Sequence, residues 1–431
     1  MPSLPEPYFR RAGRALTVAA LVVATAASAA EPVTFDQTLE AARAGAPSLT
    51  AKDFERRALV EEAAVARTLP EPMVSLGVQN KRLDSLAFDN DEMTMKTVGV
   101  GQAFVRGSKR RARAAAILAR AGVSEAERAL LATEVRSEAG LAWLDLHFGQ
   151  RVEAELAQLM AEARLDLAGA RAAYSGGRGQ LSEVIAAQTQ ITQIENRVTE
   201  NRRDIEAARA RLARWIGRGD VVATGRPPNI ARPPLELAQL EQTLAALPAI
   251  EVYDARARQA VAEVRSATAE RALDPTVELM YGQRDERPDM VGVTLSMPLQ
   301  INRANRQNRT IRARELGVQQ VAAERENALR EQRAEVETGL AAWRTARERL
   351  SRFETSIRPL ARSQVEAALA AYRGGGGSLA ILIAARRARF DVALEALAIE
   401  AEAARAWTEL YVLTSEAAAR PPLTNRGDAA Q

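Results

Sequence analysis

The sequence predicts a mainly α-helical protein with a small β part, built as a tandem duplication of one unit. The segment 172–181 returns 198 positions later as 370–379, each time between a long and a shorter run rich in Ala, Arg and Glu. In both halves, a pair of alternating strand patterns precedes the long run. A repeat of about 200 residues is far too long for a solenoid unit, so the chain contains one architecture fused to a second copy.

Residues 1–30 are predicted to be a cleavable signal peptide. Three arginines precede an apolar stretch over 15–27, which is too short to span a bilayer. Small residues at the end of this stretch place cleavage after Ala29 or Ala30. The mature chain is therefore expected to be exported.

Composition excludes several classes of protein. Loss of residues 1–30, with three arginines and one glutamate, lowers the formal net charge from +4 to +2, so the basic balance does not indicate a nucleic-acid partner. The chain has no cysteine and one histidine. Disulfides, a lipidated cysteine and a His/Cys metal site are therefore not expected, and neither a metal site nor a cofactor is predicted. No nucleophile–base pair points to catalysis.

Each half reads as a helix, two strands, a very long helix, a Gly-rich turn and a return helix. Val74, Leu76 and Val78 alternate with polar residues or glycine, which is typical of a strand with one apolar face. Prolines end the preceding helical stretches. The predicted elements of the first half are helix 35–68, strand 73–80, loop 81–92, strand 93–105, helix 108–173 and helix 181–216. Those of the second half are helix 237–272, strands around 277–281 and 291–297, helix 302–372 and helix 379–413.

The long helices favour coiled-coil packing. Leu329, Val336, Trp343, Leu350 and Ile357 repeat every seven residues, and Pro359 predicts a kink or a helix junction. The predicted organisation is a signal peptide (1–30), a first repeat (31–216), a linker read as a loop (217–234), a second repeat (235–416) and a disordered tail (417–431).

The strands set a requirement for assembly. Two β-hairpins supply four strands per chain, whereas the smallest transmembrane barrels have eight. Three chains would supply twelve strands, and apolar stripes on the helical hairpins would pack against neighbouring subunits as a tube. The predicted fold class is therefore tandem coiled-coil α-hairpins plus two β-hairpins that contribute to a trimeric, twelve-stranded transmembrane β-barrel.

The order of motifs resembles the TolC-like outer-membrane factors, the exit ducts of tripartite efflux pumps and type I secretion systems. The resemblance covers nearly the whole mature chain. It rests on the tip motif at 174–188, its second copy at Tyr372, Gly375, Ser378, Leu382 and Ala385, the segment 357–361, the strand-to-helix junction 291–299, and the N-terminal helix motif 34–42 with Pro47, echoed at 240–248. Gln180 and Arg386 depart from the tip motif, where the family has Ser and Gln, and the first strand-to-helix junction lacks the proline found at Pro298.

The resemblance implies a homotrimer in the outer membrane that extends into the periplasm and contacts outer-membrane lipid. It implies a passive channel with no enzymatic step. The Gly-rich tips would meet a periplasmic membrane-fusion adaptor, itself held by an inner-membrane pump of the RND or ABC type. The candidate adaptor-binding and gating residues are Tyr174, Gly177, Leu181, Tyr372, Gly375, Ser378 and Leu379.

Other interpretations stay open at the level of sequence. The tip glycines are equally expected from turn chemistry alone, because glycine adopts positive φ where helices reverse. Glu183 would form an acidic pore ring in a trimer, or occupy a solvated helix position. The basic cluster of Arg106, Lys109, Arg110, Arg111 and Arg113 would meet lipid phosphates or line the tunnel. The alternative functions are a periplasmic adaptor and a coiled-coil structural protein of the envelope.

Overall fold

A computed structural model describes residues 31–81, 93–234, 240–284 and 287–418. Three predicted segments lie wholly or largely outside the described residues. They are the signal peptide, most of the loop predicted over 81–92, and residues 419–431 of the tail. The first half contains β1 (Glu31–Val33), α1 (Phe35–Gly45), α2 (Pro47–Arg67), β2 (Met73–Gln79), β3 (Met95–Ala103), α3 (Gly107–Ser175), α4 (Leu181–Ile216) and β4 (Val221–Ala223). The second half contains α5 (Leu240–Ala245), α6 (Pro248–Ala269), β5 (Thr276–Arg284), β6 (Met290–Ser296), α7 (Gln307–Arg352), a π-helical turn (Phe353–Ile357), α8 (Arg358–Arg373) and α9 (Leu379–Ala418).

The predicted order of helices and strands is confirmed in both halves, with four differences. The helix expected over 35–68 is split, because Pro47 disfavours helical backbone at Ala46, whose φ and ψ of −67° and 117° are extended. The helix expected over 237–272 is split in the same way, because Pro248 follows Leu247, whose φ and ψ of −62° and 141° are extended. The linker contains the short strand β4, which pairs in parallel with β1 and was predicted as loop. Helix α9 continues to Ala418, past the predicted end of the second repeat. The predicted repeat boundaries stay predictions.

The two predicted β-hairpins form a single sheet. Strand β3 pairs antiparallel with β5, so the strand order is β2-β3-β5-β6. Leu76 is opposite Val98, Val98 is opposite Tyr281, and Tyr281 is opposite Val291. Because side chains alternate along a strand, this register places the valines, leucines and tyrosine of all four strands on one face of the sheet. We call this the aliphatic face; it consists of Val74, Leu76, Val78, Val98, Val100, Val277, Leu279, Tyr281, Val291, Val293 and Leu295, with Lys96, Gln102 and Gln283 near the strand ends.

The opposite face of the sheet, here called the polar face, carries different residues. It consists of Met73, Ser75, Gly77, Gln79, Met95, Thr97, Gly99, Gly101, Ala103, Thr276, Glu278, Met280, Gly282, Arg284, Met290, Gly292, Thr294 and Ser296. Within the described sheet, β2 and β6 are the outer strands. Their outer edges carry backbone N–H and C=O groups without sheet partners among the described residues, which is a template for pairing with another strand.

The long helices extend away from the sheet. Helix α3 has 69 residues, which corresponds to about 100 Å at 1.5 Å per residue. It packs against α4 and α9, and α7 also packs against α9. The helix junction predicted near Pro359 is confirmed: α7 continues through the π-helical turn into α8, which has this proline in its first turn. The wider turn adapts the backbone where proline supplies no N–H.

The predicted heptad is buried where it packs against α9 and is lost beyond the π-helical turn. Val336, Trp343 and Leu350 are buried. Leu360, seven residues after the buried Phe353, is exposed. The inserted π turn shifts the phase of the helix, so a strict seven-residue pattern no longer predicts which face is inside.

Three tryptophans bind backbone carbonyls of the N-terminal segment and of the linker between the two halves. The indole Nε1 of Trp143 donates to the carbonyl of Val33 at 2.8 Å. In the second half, Trp343 donates to Ile230 at 3.1 Å and Trp407 to Arg232 at 3.0 Å. Each buried or partly buried indole thus has a polar partner, as such groups require. The linker is therefore fixed against the helices along much of its length.

Residues 31–81, 93–234, 240–284 and 287–418 contain no helix that is both long and apolar enough to cross a membrane.

Candidate functional site

The two Gly-rich tips have the same backbone structure. In the first, Gly176, Gly177, Arg178 and Gly179 donate backbone N–H groups to the carbonyls of residues 172, 174, 173 and 173. In the second, residues 374–377 donate to 370, 372, 371 and 371 in the same pattern. The sequence repeat at a spacing of 198 residues is therefore also a repeat of hydrogen bonds.

Two glycines in each tip are explained by this geometry. Gly177 and Gly375 have φ of +72° and +75°, a region that favours glycine. A Cβ at Gly179 would lie 2.9 Å from the backbone nitrogen of Tyr174, and one at Gly377 would lie 3.1 Å from that of Tyr372. Turn chemistry alone thus accounts for these glycines.

Substitution by alanine is expected to destabilise the tip at Gly179 and to have little effect at Gly376. Gly179→Ala should lower the melting temperature of the hairpin end, because the added methyl group meets backbone atoms that cannot move aside. Gly376→Ala is the matched control, because its Cβ has open space and Arg178 already occupies the equivalent place in the first tip. Protection from hydrogen exchange, measured at amides 170–185 in Gly179→Ala and at the equivalent amides 368–383 in Gly376→Ala, would report the difference. Equal protection in both variants would contradict the steric explanation.

The two tips pack against each other. Leu379 is 2% exposed and lies in one apolar cluster with Leu382 and Ala170 of α3, and Tyr372 packs on its edge. The Ser378 hydroxyl accepts a hydrogen bond from the backbone N–H of Ile381 at 3.4 Å, so it caps α9. In this conformation the buried Leu379 holds the tips together and does not offer free surface, whereas Ser378 is exposed and its hydrogen bond is local to the start of α9.

The exposed part of the site differs from the set chosen by sequence. Tyr174 and Leu181 are exposed at the first tip, as a docking surface requires. Ile185 and Ile381 are exposed as well. Both isoleucines lie one turn beyond the glycines, where helical spacing could have indicated them. Together these four side chains form an apolar patch at the end of the molecule.

Glu183 has a local structural role. Its carboxylate accepts a hydrogen bond from the backbone N–H of Gln180 at 3.4 Å, and the side chain of Gln180 accepts from the backbone N–H of Glu183. This reciprocal pair is a capping box, which satisfies N–H groups at the start of α4. Gln180 stands where the family motif has serine, yet its side chain still caps the helix.

An ion-pair cluster lies behind the tips, between α3 and α9. Arg386 pairs with Asp166 and lies 3.8 Å from a Glu162 oxygen, while Arg389 pairs with Glu162 at 2.7 Å. Burial raises the pKa of Asp166, and the nearby Arg386 opposes this rise without cancelling it. Arg386, the second departure from the family motif, therefore joins the two hairpins.

The basic cluster at the first strand-to-helix junction is arranged differently from the expectation. Lys109 is 4% exposed, and its Nζ lies 2.5 Å from Asp274 and 3.2 Å from Glu270. Arg113 contacts Glu270 at 2.6 Å. These two side chains thus bind acidic groups of the second half. Lys109 is not available to lipid phosphates or to a tunnel wall, because the junction buries it.

The pKa values of the two acidic partners, Glu270 and Asp274, are shifted at this junction. Burial would raise the pKa of Glu270, but hydrogen bonds from Arg113 and Lys109 outweigh it and lower the pKa below its ordinary value. For Asp274, burial is likewise outweighed by hydrogen bonds from Lys109 and from the backbone N–H of Arg106, so its pKa is lowered. Both carboxylates are therefore stabilised in the charged form, and the network joins the two halves where the sheet meets the helices.

In the part of the chain that the structure describes, no group of three or more His, Cys, Asp or Glu side chains is arranged to hold a metal ion. The candidate site is accordingly a set of surfaces: the tips at one end and the aliphatic face of the sheet at the other.

The architecture of a four-stranded sheet joined to two helical hairpins, each with one arm of about 100 Å, defines a class of protein, the TolC-like outer-membrane channel fold. The chain has this fold, as the motifs predicted. The structure of CusC shares 15% sequence identity and a TM-score of 0.74 over 88% of this chain and 91% of that one. The MtrE outer membrane channel of Neisseria gonorrhoeae, in its open state, shares 17% identity and a TM-score of 0.71 over 88% of each chain.

The CmeC outer membrane channel of Campylobacter jejuni shares 13% identity and a TM-score of 0.72 over 89% of this chain and 86% of that one. No family model matches the sequence, and no curated protein matches it either. The similarity is therefore one of fold, and it extends over nearly the full length of these channels.

Proposed function

We propose that this protein is the outer-membrane channel of a tripartite efflux pump or a type I secretion system. Three copies would assemble into one duct that conducts substrates passively from a pump and adaptor complex to the exterior, without an enzymatic step. The similar structures are outer-membrane channels, which supports this assignment over an adaptor or a coiled-coil structural protein.

The observation that carries the proposal is the sheet. Its aliphatic face spans four strands in register, and most of its side chains are exposed in the single chain. An exposed apolar surface of this extent is costly in water and indicates a membrane or protein contact. The outer edges of β2 and β6 would pair between copies, which would close twelve strands and place the aliphatic face toward lipid.

The tips are proposed to bind a periplasmic membrane-fusion adaptor, with an inner-membrane RND or ABC pump behind it. Tyr174 and Leu181, with the neighbouring Ile185 and Ile381, supply the exposed apolar patch. Gly177 and Gly375 shape the turns, Tyr372 and Leu379 pack the two tips together, and Ser378 caps α9. A partner that separates the tips must therefore replace the buried contacts of Leu379.

Glu183 is proposed to form an acidic ring when three copies surround the axis, in addition to capping α4. Glu183→Gln should retain the capping box, because glutamine also serves at this position, and should lower the preference for cations over anions. Glu183→Ala should lower that preference equally and also destabilise the helix start by about 1 kcal/mol. Reversal potentials of reconstituted trimers in a salt gradient measure the preference. An unchanged potential in Glu183→Gln would leave only the capping role.

The proposed function is tested by expressing the full chain with its leader and separating the membranes. We expect the protein in the outer-membrane fraction, a trimer by light scattering in detergent, and ion conductance in planar bilayers. A monomer in the soluble periplasmic fraction would contradict the channel and favour an adaptor or a structural protein.

A further inference from the structure

Methionines are concentrated in the sheet. After Met1 the sequence has seven, and six of them lie in the four strands or within two residues of a strand end: Met73, Met93, Met95, Met280, Met290 and Met297. The remaining one, Met160, lies in α3. This distribution opposes intrinsic preference, because methionine favours helices and is not among the residues enriched in strands. The described helices hold most of the chain, so a role specific to the sheet is indicated.

Four of these methionines share the polar face, and three of them surround Gly282. Gly282 is directly opposite Met290 of β6, and Met280 precedes it by two residues on the same face of β5. The sulfur of Met95, from β3, occupies the place of the missing side chain, only 2.2 Å from where a Cβ on Gly282 would lie. The glycine thus admits a thioether from one neighbouring strand beside a methionine of the other.

The Met280 side chain extends over the neighbouring strands. Its sulfur accepts a hydrogen bond from Nε2 of Gln79 at 3.5 Å, and Gln79 is the cross-strand neighbour of Met95. Its terminal methyl group lies 3.4 Å from the Cβ position of Gly292 on β6. Met95 is 7% exposed and Met290 is 47% exposed, so the group has one buried member and one that is open to solvent.

We propose that Met95, Met280 and Met290 form a thioether site for a soft monovalent cation, Cu(I) or Ag(I). Soft sulfur ligands select such ions, and methionine supplies a neutral donor that does not require deprotonation. Three flexible side chains around a glycine gap can converge on a small ion. In the sequence, only Met93 and Met95 lie close to each other. Pairing of β3 with β5 and of β5 with β6 is needed to bring Met280 and Met290 beside Met95.

The thioether site suggests which ion the proposed channel would carry. In the proposed trimer the aliphatic face is turned toward lipid, so the polar face lines the duct and three copies of the site would surround it. The inference about cargo rests on the proposed function, whereas binding of the ion does not. A half-exposed ligand such as Met290 suits transient binding along a conducting path, because conduction requires sites that an ion can leave.

The test uses the full-length protein purified in detergent in chloride-free buffer, with silver nitrate as the probe. Isothermal titration should show one reversibly bound Ag(I) per chain, and X-ray absorption at the silver edge should show sulfur neighbours. Leucine is close to methionine in size, so Met95→Leu, Met280→Leu and Met290→Leu should preserve packing. Each should weaken binding by roughly tenfold or more, since even the loss of a group that only orients a metal ligand has an effect of that size.

Met160→Leu is the matched control and should bind silver like the wild type. The site is overturned if the wild type shows no sulfur-ligated silver, or if the triple leucine variant binds it unchanged. An absence of sulfur neighbours in the wild-type X-ray absorption spectrum overturns the site even if a variant fails to fold. A trimer that conducts ions but shows no sulfur-ligated silver would reject this site and leave the channel standing. Silver ligation in a protein that forms no channel would support the site and remove its link to cargo.

Discussion

Val98→Arg should abolish assembly in the outer membrane. Val98 lies near the middle of β3 on the aliphatic face, between Leu76 and Tyr281 of the neighbouring strands. An arginine facing lipid at the bilayer midplane costs about 2–4 kcal/mol, and a trimer contains it three times. We expect the variant to be absent from the trimer fraction of extracted outer membranes, with the chain degraded or aggregated in the periplasm.

The control for this experiment lies on the other face of the sheet. Thr294→Arg introduces the same side chain on the polar face, opposite Glu278. It should assemble like the wild type, because an arginine there meets a carboxylate and water in the proposed trimer. If both variants assembled equally well, the aliphatic face would not contact lipid, and the proposed orientation of the sheet would be wrong.

Lys109→Met should strongly destabilise the junction between the sheet and the helices. The substitution leaves Glu270 and Asp274 without their buried cation, and removal of one partner of a buried pair costs about 3–5 kcal/mol. We expect the lower end of this range, because Glu270 is 39% exposed and retains Arg113. Thermal or denaturant unfolding of the detergent-extracted protein measures the loss. Arg111→Met, at an exposed position in the same cluster, is the matched control and should have little effect.

The difference in stability between the wild type and Lys109→Met should depend on pH. Because the pKa values of Glu270 and Asp274 are lowered on folding, their contribution is present at neutral pH and is lost as pH falls through the folded-state values. In Lys109→Met these pKa values should return toward the ordinary range. The stability difference between wild type and variant should therefore narrow below about pH 4. A difference that stays constant down to pH 3 would show that lost packing, not charge pairing, explains the effect.

Local signals predicted the elements that are local in origin. The return helix was predicted to begin at Leu181 and to end near Ile216, and the structure has the same bounds, because a Gly-rich turn and Gly217 with φ of +71° delimit it. The strands followed from alternation, and the helix junction near Pro359 followed from the chemistry of proline. The split of the first helix at Ala46 was not predicted, although Pro47 follows it in the sequence. The composition of residues 35–68 fits two consecutive helices as well as one.

Contacts between distant segments were not predictable in this way. Lys109 and Asp274 are 165 residues apart, and nothing in the charge pattern distinguishes this buried lysine from the exposed Arg111. The pairing of β1 with β4 was missed because each strand has only three residues, too few for a periodic signal. At the tips, the motif identified the turns, but it did not separate the buried Leu379 from the exposed Leu181.

The sequence by itself determined the duplication, the order of helices and strands, the tip turns and the apolar alternation that makes one face of each strand suitable for lipid. These features depend on backbone preferences and on side-chain periods of 2 and 3.6 residues, which are written along the chain. Only the tertiary structure decided that β3 pairs with β5, that Lys109 is buried between two carboxylates, and that Met95 lies over Gly282 beside Met280 and Met290. Such contacts depend on register between strands and helices far apart in sequence, where a shift of one residue moves every side chain to the other face.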